Sequence, residues 1–477
     1  MKKVLFAAAE GLPYIKSGGL ADVIGSLPAA LNNEGLEVSV VLPLYSQIIR
    51  KHFDDLELEG AFKLKLGMFN SNVRIFSQIH QGVKYYFIEN SKYFERENLY
   101  GYDDDGERFS FYCHAIYQMC LALQYYPDVI HSHDWHTGML PVLGKMYYGN
   151  YKYISEAKHI YTIHNIAYQG NFAHPMLESC LDLPHYLYDN GALRFNDGIS
   201  FMKAGIVYAD KVTTVSETYA QEILTSQYGE QLEGVLRLRE KDLVGIVNGI
   251  DIDANNPKTD PVIYENYDLD SLELKVKNKI GLQKQLGLRV APDVCVIGMV
   301  TRLAWQKGIN LVIEKMKDIM GLDIQLVILG TGEPSYEYDL AQSEEAYKRR
   351  LVYYGAYSDE IARKIYAGAD YFLMPSQFEP CGISQLLAMR YGTIPIVRET
   401  GGLKETVQPY NEYEVTGTGF SFQYFSSSDM YHVIRMAVNV YYLVHDHYQV
   451  LQKNAMKQDN SWKISAKKYK ELYITPH

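Results

Sequence analysis

Arg302 and Lys307 stand five residues apart in Arg302-Leu303-Ala304-Trp305-Gln306-Lys307-Gly308, directly after the apolar run from Val294 to Val300. Two cations in one loop at the end of a strand can share a diphosphate and neutralise it as it departs, without a metal ion. A solvated loop is the plainer account, and the place at a strand's carboxyl end favours the first. Glu379, in Glu379-Pro380-Cys381-Gly382-Ile383-Ser384, follows the apolar run Tyr371-Phe372-Leu373-Met374. A carboxylate there, with glycine admitting close backbone approach, suits a sugar ring whose anomeric carbon gains positive charge. The alternative is an acid near a helix start.

Lys16-Ser17-Gly18-Gly19-Leu20-Ala21-Asp22-Val23 follows the run Val4 to Ala9. Apolar residues at Leu20, Val23, Ile24, Leu27 and Leu31 keep helical spacing, so the glycine pair sits at a helix N-terminus. Such a terminus offers free N–H groups to an anion, and Lys16 adds a full charge. A tight turn with a solvated lysine is the competing account, and Asp22 is either a first-turn dipole residue or a partner for a ligand hydroxyl. In His131-x-His133-Asp134-x-His136 the residue types could ligate a metal, but the spacing lacks a helical His pair, so hydrogen bonding to a polyol fits better. His131 alone reads as a satisfied strand-end histidine. Asp103-Asp104-Asp105 lies in a turn composition and reads as a solvated loop. Gly401-Gly402-Leu403 repeats the ambiguity of the first glycine pair.

These residues need strands to place them. Short apolar runs recur with helical patterns between them, the pattern of βαβ units and parallel sheets. In the first half they fall at 3–9, 38–42, 129–131, 160–163, 212–215 and 244–247, with an antiparallel excursion between 61 and 90. A second series at 294–300, 325–329, 371–374 and 394–397 predicts a second doubly wound sheet. Between them, the acid- and proline-rich passage 256–261 reads as a hinge, followed by an amphipathic helix near 270–287. Polar residues directly after the runs, including His164-Asn165 and Asn248, come from both halves, so a cleft between two facing domains is expected to gather them. Residues 464–472 predict a short basic helix with Tyr469 and Leu472 on one face.

Composition removes whole classes. At 477 residues, 47% hydrophobic and 22% charged, the chain has the balance of a soluble globular protein of two or three domains. A net charge of -11 argues against nucleic acid and anionic membranes as partners. Cys113, Cys120, Cys180, Cys295 and Cys381 form an odd set without CxxC, as expected of reduced thiols in a cytoplasm. Lys2-Lys3 and the following apolar run imitate a signal peptide, but Glu10 ends the run, which reads as a first buried strand. Tyrosine is unusually frequent, 42 against 17 phenylalanines, and carries no assignment.

KSGGLADV, HSHDWHTG, HNIAYQG, VNGID, TRLAWQKG, PSQFEPCGISQL and RETGGLKETV, in order between residues 16 and 407, resemble bacterial glycogen synthase and plant starch synthase. The tail from Asn460-Ser461-Trp462 to Tyr473 is similar too. The resemblance implies an α/β fold of two doubly wound Rossmann-like domains facing across a cleft, the GT-B type. Its domains would be an acceptor-side domain at 1–247, a nucleotide-sugar domain at 248–457, and a helix at 458–477 returning to the first. It implies retaining transfer of glucose from ADP-glucose to the 4-hydroxyl at the non-reducing end of an α-1,4-glucan, with no cofactor and no metal. Lys16 and the Gly18-Gly19 backbone would bind the donor, with Arg302 and Lys307 on its diphosphate. Glu379, the Cys381-Gly382 backbone, His164 and Asn248 would line the glucose, Tyr357 would stack on the nucleobase, and Asp134 would lie at the acceptor side. Two positions depart from common patterns: Leu387 stands where many retaining relatives carry a second glutamate, and Gln377 where arginine is frequent. The alternatives are a related enzyme making a sucrose- or trehalose-like product, and a non-catalytic glucan-binding scaffold. The scaffold would be expected to lack Lys16, Arg302, Lys307 or Glu379, all of which are present.

Overall fold

The structure, a computed structural model, describes residues 1–476. The chain forms two compact units, Met1–Gly249 together with the stretch from Trp462 onward, and Ile250–Ser461.

The first unit is built on nine strands in one sheet. They are β1 (Lys3–Ala7), β2 (Glu37–Pro43), β3 (Glu57–Leu66), β4 (Phe69–His80), β5 (Val83–Glu89), β6 (Val129–His133), β7 (Lys158–Ile163), β11 (Lys211–Thr214) and β12 (Leu243–Gly245). A separate small sheet holds β8 (Asn171–Ala173), β9 (Arg194–Phe195) and β10 (Gly198–Ser200). The large sheet runs β12-β11-β7-β6-β1-β2-β5-β4-β3, parallel from β12 to β5 and antiparallel at the β5-β4-β3 edge. Val4 to Ala7 are fully buried because helices cover both faces of the central strands, which is why those strands read as unbroken apolar runs. The chain leaves β1 toward β2 and β5, and leaves β6 toward β7 and β11. The carboxyl ends of β1 and β6 therefore flank a switch point where ligands bind in such sheets. Helix α1 (Gly19–Asn33) follows β1 and buries Leu20, Val23, Ile24, Leu27 and Leu31, the stripe seen in the sequence.

The C-terminal helix, Lys463–Ile474, packs on this unit. Its buried face is Ser465, Ala466, Tyr469 and Tyr473, so Tyr473 replaces Leu472 in the expected stripe; a spacing of four keeps a helical residue on the same side. The Tyr473 hydroxyl hydrogen-bonds with His131 Nδ1 at 2.7 Å, and His131 Nε2 meets Thr162 Oγ1 at 2.6 Å. Lys158 Nζ donates to the carbonyls of Leu472 and Thr475 at 2.6 and 2.8 Å, closing the open end of the helix. Tyr473→Phe leaves a buried imidazole nitrogen unpaired and is expected to cost about 1–3 kcal/mol, read by denaturant titration.

The acidic run is not the solvated loop its composition suggested. Asp105 opens the helix Asp105–Ala122, and its carboxylate accepts at 2.7 Å from Arg108, whose side chain is fully buried. Asp104 pairs with both terminal nitrogens of Arg96 at 2.6 Å, which holds its carboxyl below the ordinary range. Only Asp103 is exposed.

The second unit carries β13 (Cys295–Val300), β14 (Ile324–Leu329), β15 (Leu351–Tyr354), β16 (Tyr371–Met374), β17 (Ile394–Arg398) and β18 (Phe420–Phe422). They lie all parallel in the order β15-β14-β13-β16-β17-β18. Renumbered from its first strand this is 3-2-1-4-5-6, a Rossmann sheet with its switch point between β13 and β16. The passage read as a hinge is tied down within this unit. Asp260 is buried and accepts from the Tyr391 hydroxyl at 2.5 Å and from Arg363 at 3.2 Å. The helix expected near 270–287 is Lys275–Leu286, ended by Gly287 in the left-handed region at φ 74°. Among the described residues no helix is long and apolar enough to cross a membrane.

Candidate active site

In the second unit, the loops after β13 and β16 meet at the switch point. Gly308, at φ 74°, lets them touch: a Cβ there would stand 2.0 Å from the Pro375 carbonyl. The Gln377 N–H donates to Gln306 O at 2.8 Å, and Gln306 Nε2 to Phe378 O at 3.3 Å. Next to this seam Lys307 Nζ donates to both oxygens of Glu379 at 2.8 and 3.0 Å, and Ser376 Oγ donates to Glu379 Oε2 at 3.0 Å. Glu379 is only 7% exposed. Arg398 braces the loop from behind, its guanidinium donating to the carbonyls of Ser376 and Gln377.

Gly401-Gly402 resolves as a packing contact. The Gly402 N–H donates to the carbonyls of Glu379 and Pro380, and a Cβ on Gly401 would lie 1.8 Å from Glu379 O. Arg302 is exposed, and its guanidinium has no hydrogen-bond or ionic partner among the described residues, while its carbonyl accepts from the Thr301 hydroxyl and the Ala304 N–H. Tyr357, 68% exposed, follows β15 with its ring open to stacking. Cys381 is buried, while Gly382 at φ 75° turns the chain and Gln385 Nε2 donates to both their carbonyls. This unit thus brings Lys307 to Glu379 and leaves Arg302 and Tyr357 uncommitted. An ammonium beside a carboxylate, with a free guanidinium in the same loop, can serve a reaction in which one atom gains negative charge while its neighbour turns positive.

In the first unit, Asp134 follows β6 with φ 58° and ψ -175°, a region that costs a non-glycine residue about 1–3 kcal/mol. Its Oδ1 accepts from the His164 N–H at 2.7 Å, joining the carboxyl ends of β6 and β7. Desolvation pushes the carboxyl up to about 7, and the nearby Glu10 carboxylate acts in the same direction. Against an ordinary value of 3.8, the folded protein holds this proton where the unfolded chain has lost it. Stability from this group therefore falls as pH rises through that interval and levels off above about 7. Asp134→Asn is expected to remove that slope, read as the difference between wild-type and variant unfolding midpoints across pH.

His133 Nδ1 lies 2.9 Å from His164 Nε2, and the His131 and His133 rings stack at 4.1 Å. Desolvation lowers all three, His164 to about 3, so they act as neutral imidazoles. Asn248 falls in the first unit, buried, with its Oδ1 lacking a protein partner among the described residues. Among those residues no group of three His, Cys, Asp or Glu is placed to hold a metal ion.

The glycine pair before α1 differs from the open anion cradle expected of it. Lys16 Nζ is paired with Asp22 at 2.8 Å, and the Ser17 N–H donates to the carboxylate of Glu10. Gly18 is the N-cap, extended at φ -156°, with Gly19 the first helical residue. Sequence reasoning missed Glu10, although it lies in the loop just beyond β1 and obeys the same strand-end rule. It had served there only to end an apolar run.

Residues 3–238 match the family described as starch synthase catalytic domain, and residues 288–457 that described as glycosyl transferases group 1. The chain is 46% identical over 471 residues to a glycogen synthase of Desulforamulus reducens, covering 99% of this chain and 98% of that one. It is 45% identical over 475 residues to a glycogen synthase of Clostridioides difficile, covering 99% of each. Its structure is similar to the catalytic domain of starch synthase IV from Arabidopsis thaliana, solved bound to ADP and acarbose, with a TM-score of 0.92 and 33% identity over 99% of this chain and 98% of that one. With two Rossmann-like units of the GT-B class and these full-length relatives, the chain belongs to the bacterial glycogen synthase and plant starch synthase family of glycosyltransferases.

Proposed function

We propose that this enzyme transfers glucose from ADP-glucose to the 4-hydroxyl at the non-reducing end of an α-1,4-glucan, with retention and without a metal ion or cofactor. The observation that carries the proposal is the Lys307–Glu379 pair, 2.8 Å apart at the switch point of a Rossmann sheet. Lys307 and Arg302 take the charge that builds on the diphosphate as the bond from the anomeric carbon to the phosphate oxygen breaks. Glu379 steadies the positive charge left on the sugar. The acceptor oxygen attacks from the same face, and its proton passes to the departing phosphate oxygen. The Cys381-Gly382 backbone, His164 and Asn248 hold the glucose. Tyr357 stacks on the base, Lys16 with the Gly18-Gly19 turn meets the donor phosphates, Asp22 orients Lys16, and Asp134 serves the acceptor.

The five cysteines are all buried and form no disulfide among the described residues, which suits a reducing cytoplasm. The test is nucleoside diphosphate release from ADP-glucose and UDP-glucose, each offered glycogen, a hexose phosphate, or no acceptor. Release that needs both ADP-glucose and glycogen supports the proposal. Release that needs the hexose phosphate assigns a disaccharide-type product instead.

A further inference from the structure

Glu10 is buried, 4% exposed, and lies three residues beyond the end of β1. Its carboxylate accepts from the Ser17 N–H, and the Gly18 amide also bears on it. Those amides stand at the N-terminus of α1, where a free anion would otherwise be drawn. An internal carboxylate thus occupies the place of a phosphate. The loop it holds ends in Lys16, whose ammonium is steered by Asp22 at 2.8 Å. Two acids therefore grip one loop, Glu10 by its backbone and Asp22 by its cation. Losing the Glu10 acceptor would orphan a part-buried N–H and release the backbone that carries Lys16.

We propose that Glu10 is a positioning residue: its carboxylate holds the Ser17 amide and so presents Lys16 to the phosphates of the donor. This rests on the proposed role of Lys16 in donor binding. Glu10 is too enclosed to serve as a substrate contact, and it bears on the donor only through the loop it holds, which carries Lys16 and the Gly18-Gly19 turn. Its loss is thus a donor-affinity defect, distinct from a defect in the bond-breaking step.

The experiment compares wild type, Glu10→Ala and Glu10→Gln in steady-state ADP release, varying ADP-glucose at saturating glycogen and the reverse. Glu10→Ala is expected to raise KM for ADP-glucose on the order of tenfold or more, the scale of one lost charge-assisted hydrogen bond. Its kcat should stay within about threefold and its KM for glycogen unchanged. Glu10→Gln, which keeps an acceptor of the same reach, should stay within about threefold of wild type throughout. Wild-type KM in Glu10→Ala, or equal losses in KM for both substrates and in kcat, would overturn the proposal, as would a Gln variant as impaired as Ala. Should Glu10→Ala fail to fold, Glu10→Asp withdraws the acceptor by one methylene and reads the same KM. A wild-type enzyme inactive on ADP-glucose would instead overturn the proposed function itself.

Discussion

Lys307→Ala is expected to lower kcat by about 10²–10³, the usual penalty for removing one donor that meets charge developing in a transition state. Two effects act together. On the proposed roles, the ammonium that would neutralise the departing diphosphate is gone, and among the described residues Glu379 keeps only the Ser376 hydroxyl at 3.0 Å as side-chain partner. A buried carboxylate without its cation is poorly placed to stabilise a neighbouring positive centre, because its own ionised form has become costly. The two residues form one unit, so the losses in Lys307→Ala and Glu379→Ala should not add: the double variant should fall well short of the product of the single effects. Initial rates of ADP release give all three values. Wild-type turnover in Lys307→Ala would remove Lys307 from the chemistry.

Arg108→Leu is expected to destabilise the first unit by about 3–5 kcal/mol, the range for breaking a buried ion pair by removing one partner. Arg108 is fully buried, donating to Asp105 Oδ1 at 2.7 Å and to the carbonyls of Tyr93 and Leu99 at 2.7 and 2.9 Å. Leucine fills much of the volume but satisfies none of these acceptors, and Asp105 is left as a buried acid without its cation, keeping the Gly101 N–H at 2.8 Å. The calorimetric midpoint of the transition belonging to this unit should fall by roughly 10 °C. Adding Asp105→Asn removes the stranded charge and should recover part of the loss. An unchanged midpoint would show that the pair carries no net stability.

The central strands were legible because burial on both faces writes them as continuous apolar runs; β16 was read at its observed bounds, 371–374. The strands that escaped notice are short or poorly framed. β15 follows Lys348-Arg349-Arg350 without a turn signal, β18 has three residues, and the small sheet β8-β10-β9 has strands of two or three. Segments that short show no period. The same logic sorts the site. Asp134 and His164 follow strands directly, and Lys307 and Glu379 lie in the loops after β13 and β16, where polar residues stand out. Arg398 closes the end of β17 and acts through backbone carbonyls of a loop distant in sequence, a contact that residue type does not announce. Asp105 was misjudged because Gly-Tyr-Asp-Asp-Asp-Gly has a turn's composition, while the burial of Arg108 three residues on depends on tertiary packing. In the C-terminal helix the stripe was found but placed one residue early, since Leu472 looks more apolar than Tyr473 until the tyrosine hydroxyl is seen to reach His131.

The most direct measurement is to supply isotope-labelled ADP-glucose with a linear α-1,4-glucan primer and determine where, and in which anomeric form, the labelled glucose is attached. The expected product carries the label at the non-reducing end in an α-1,4 linkage, with one ADP released per glucose added. Label in a β linkage, at the reducing end, or recovered only as free glucose would contradict a retaining transfer centred on Lys307 and Glu379.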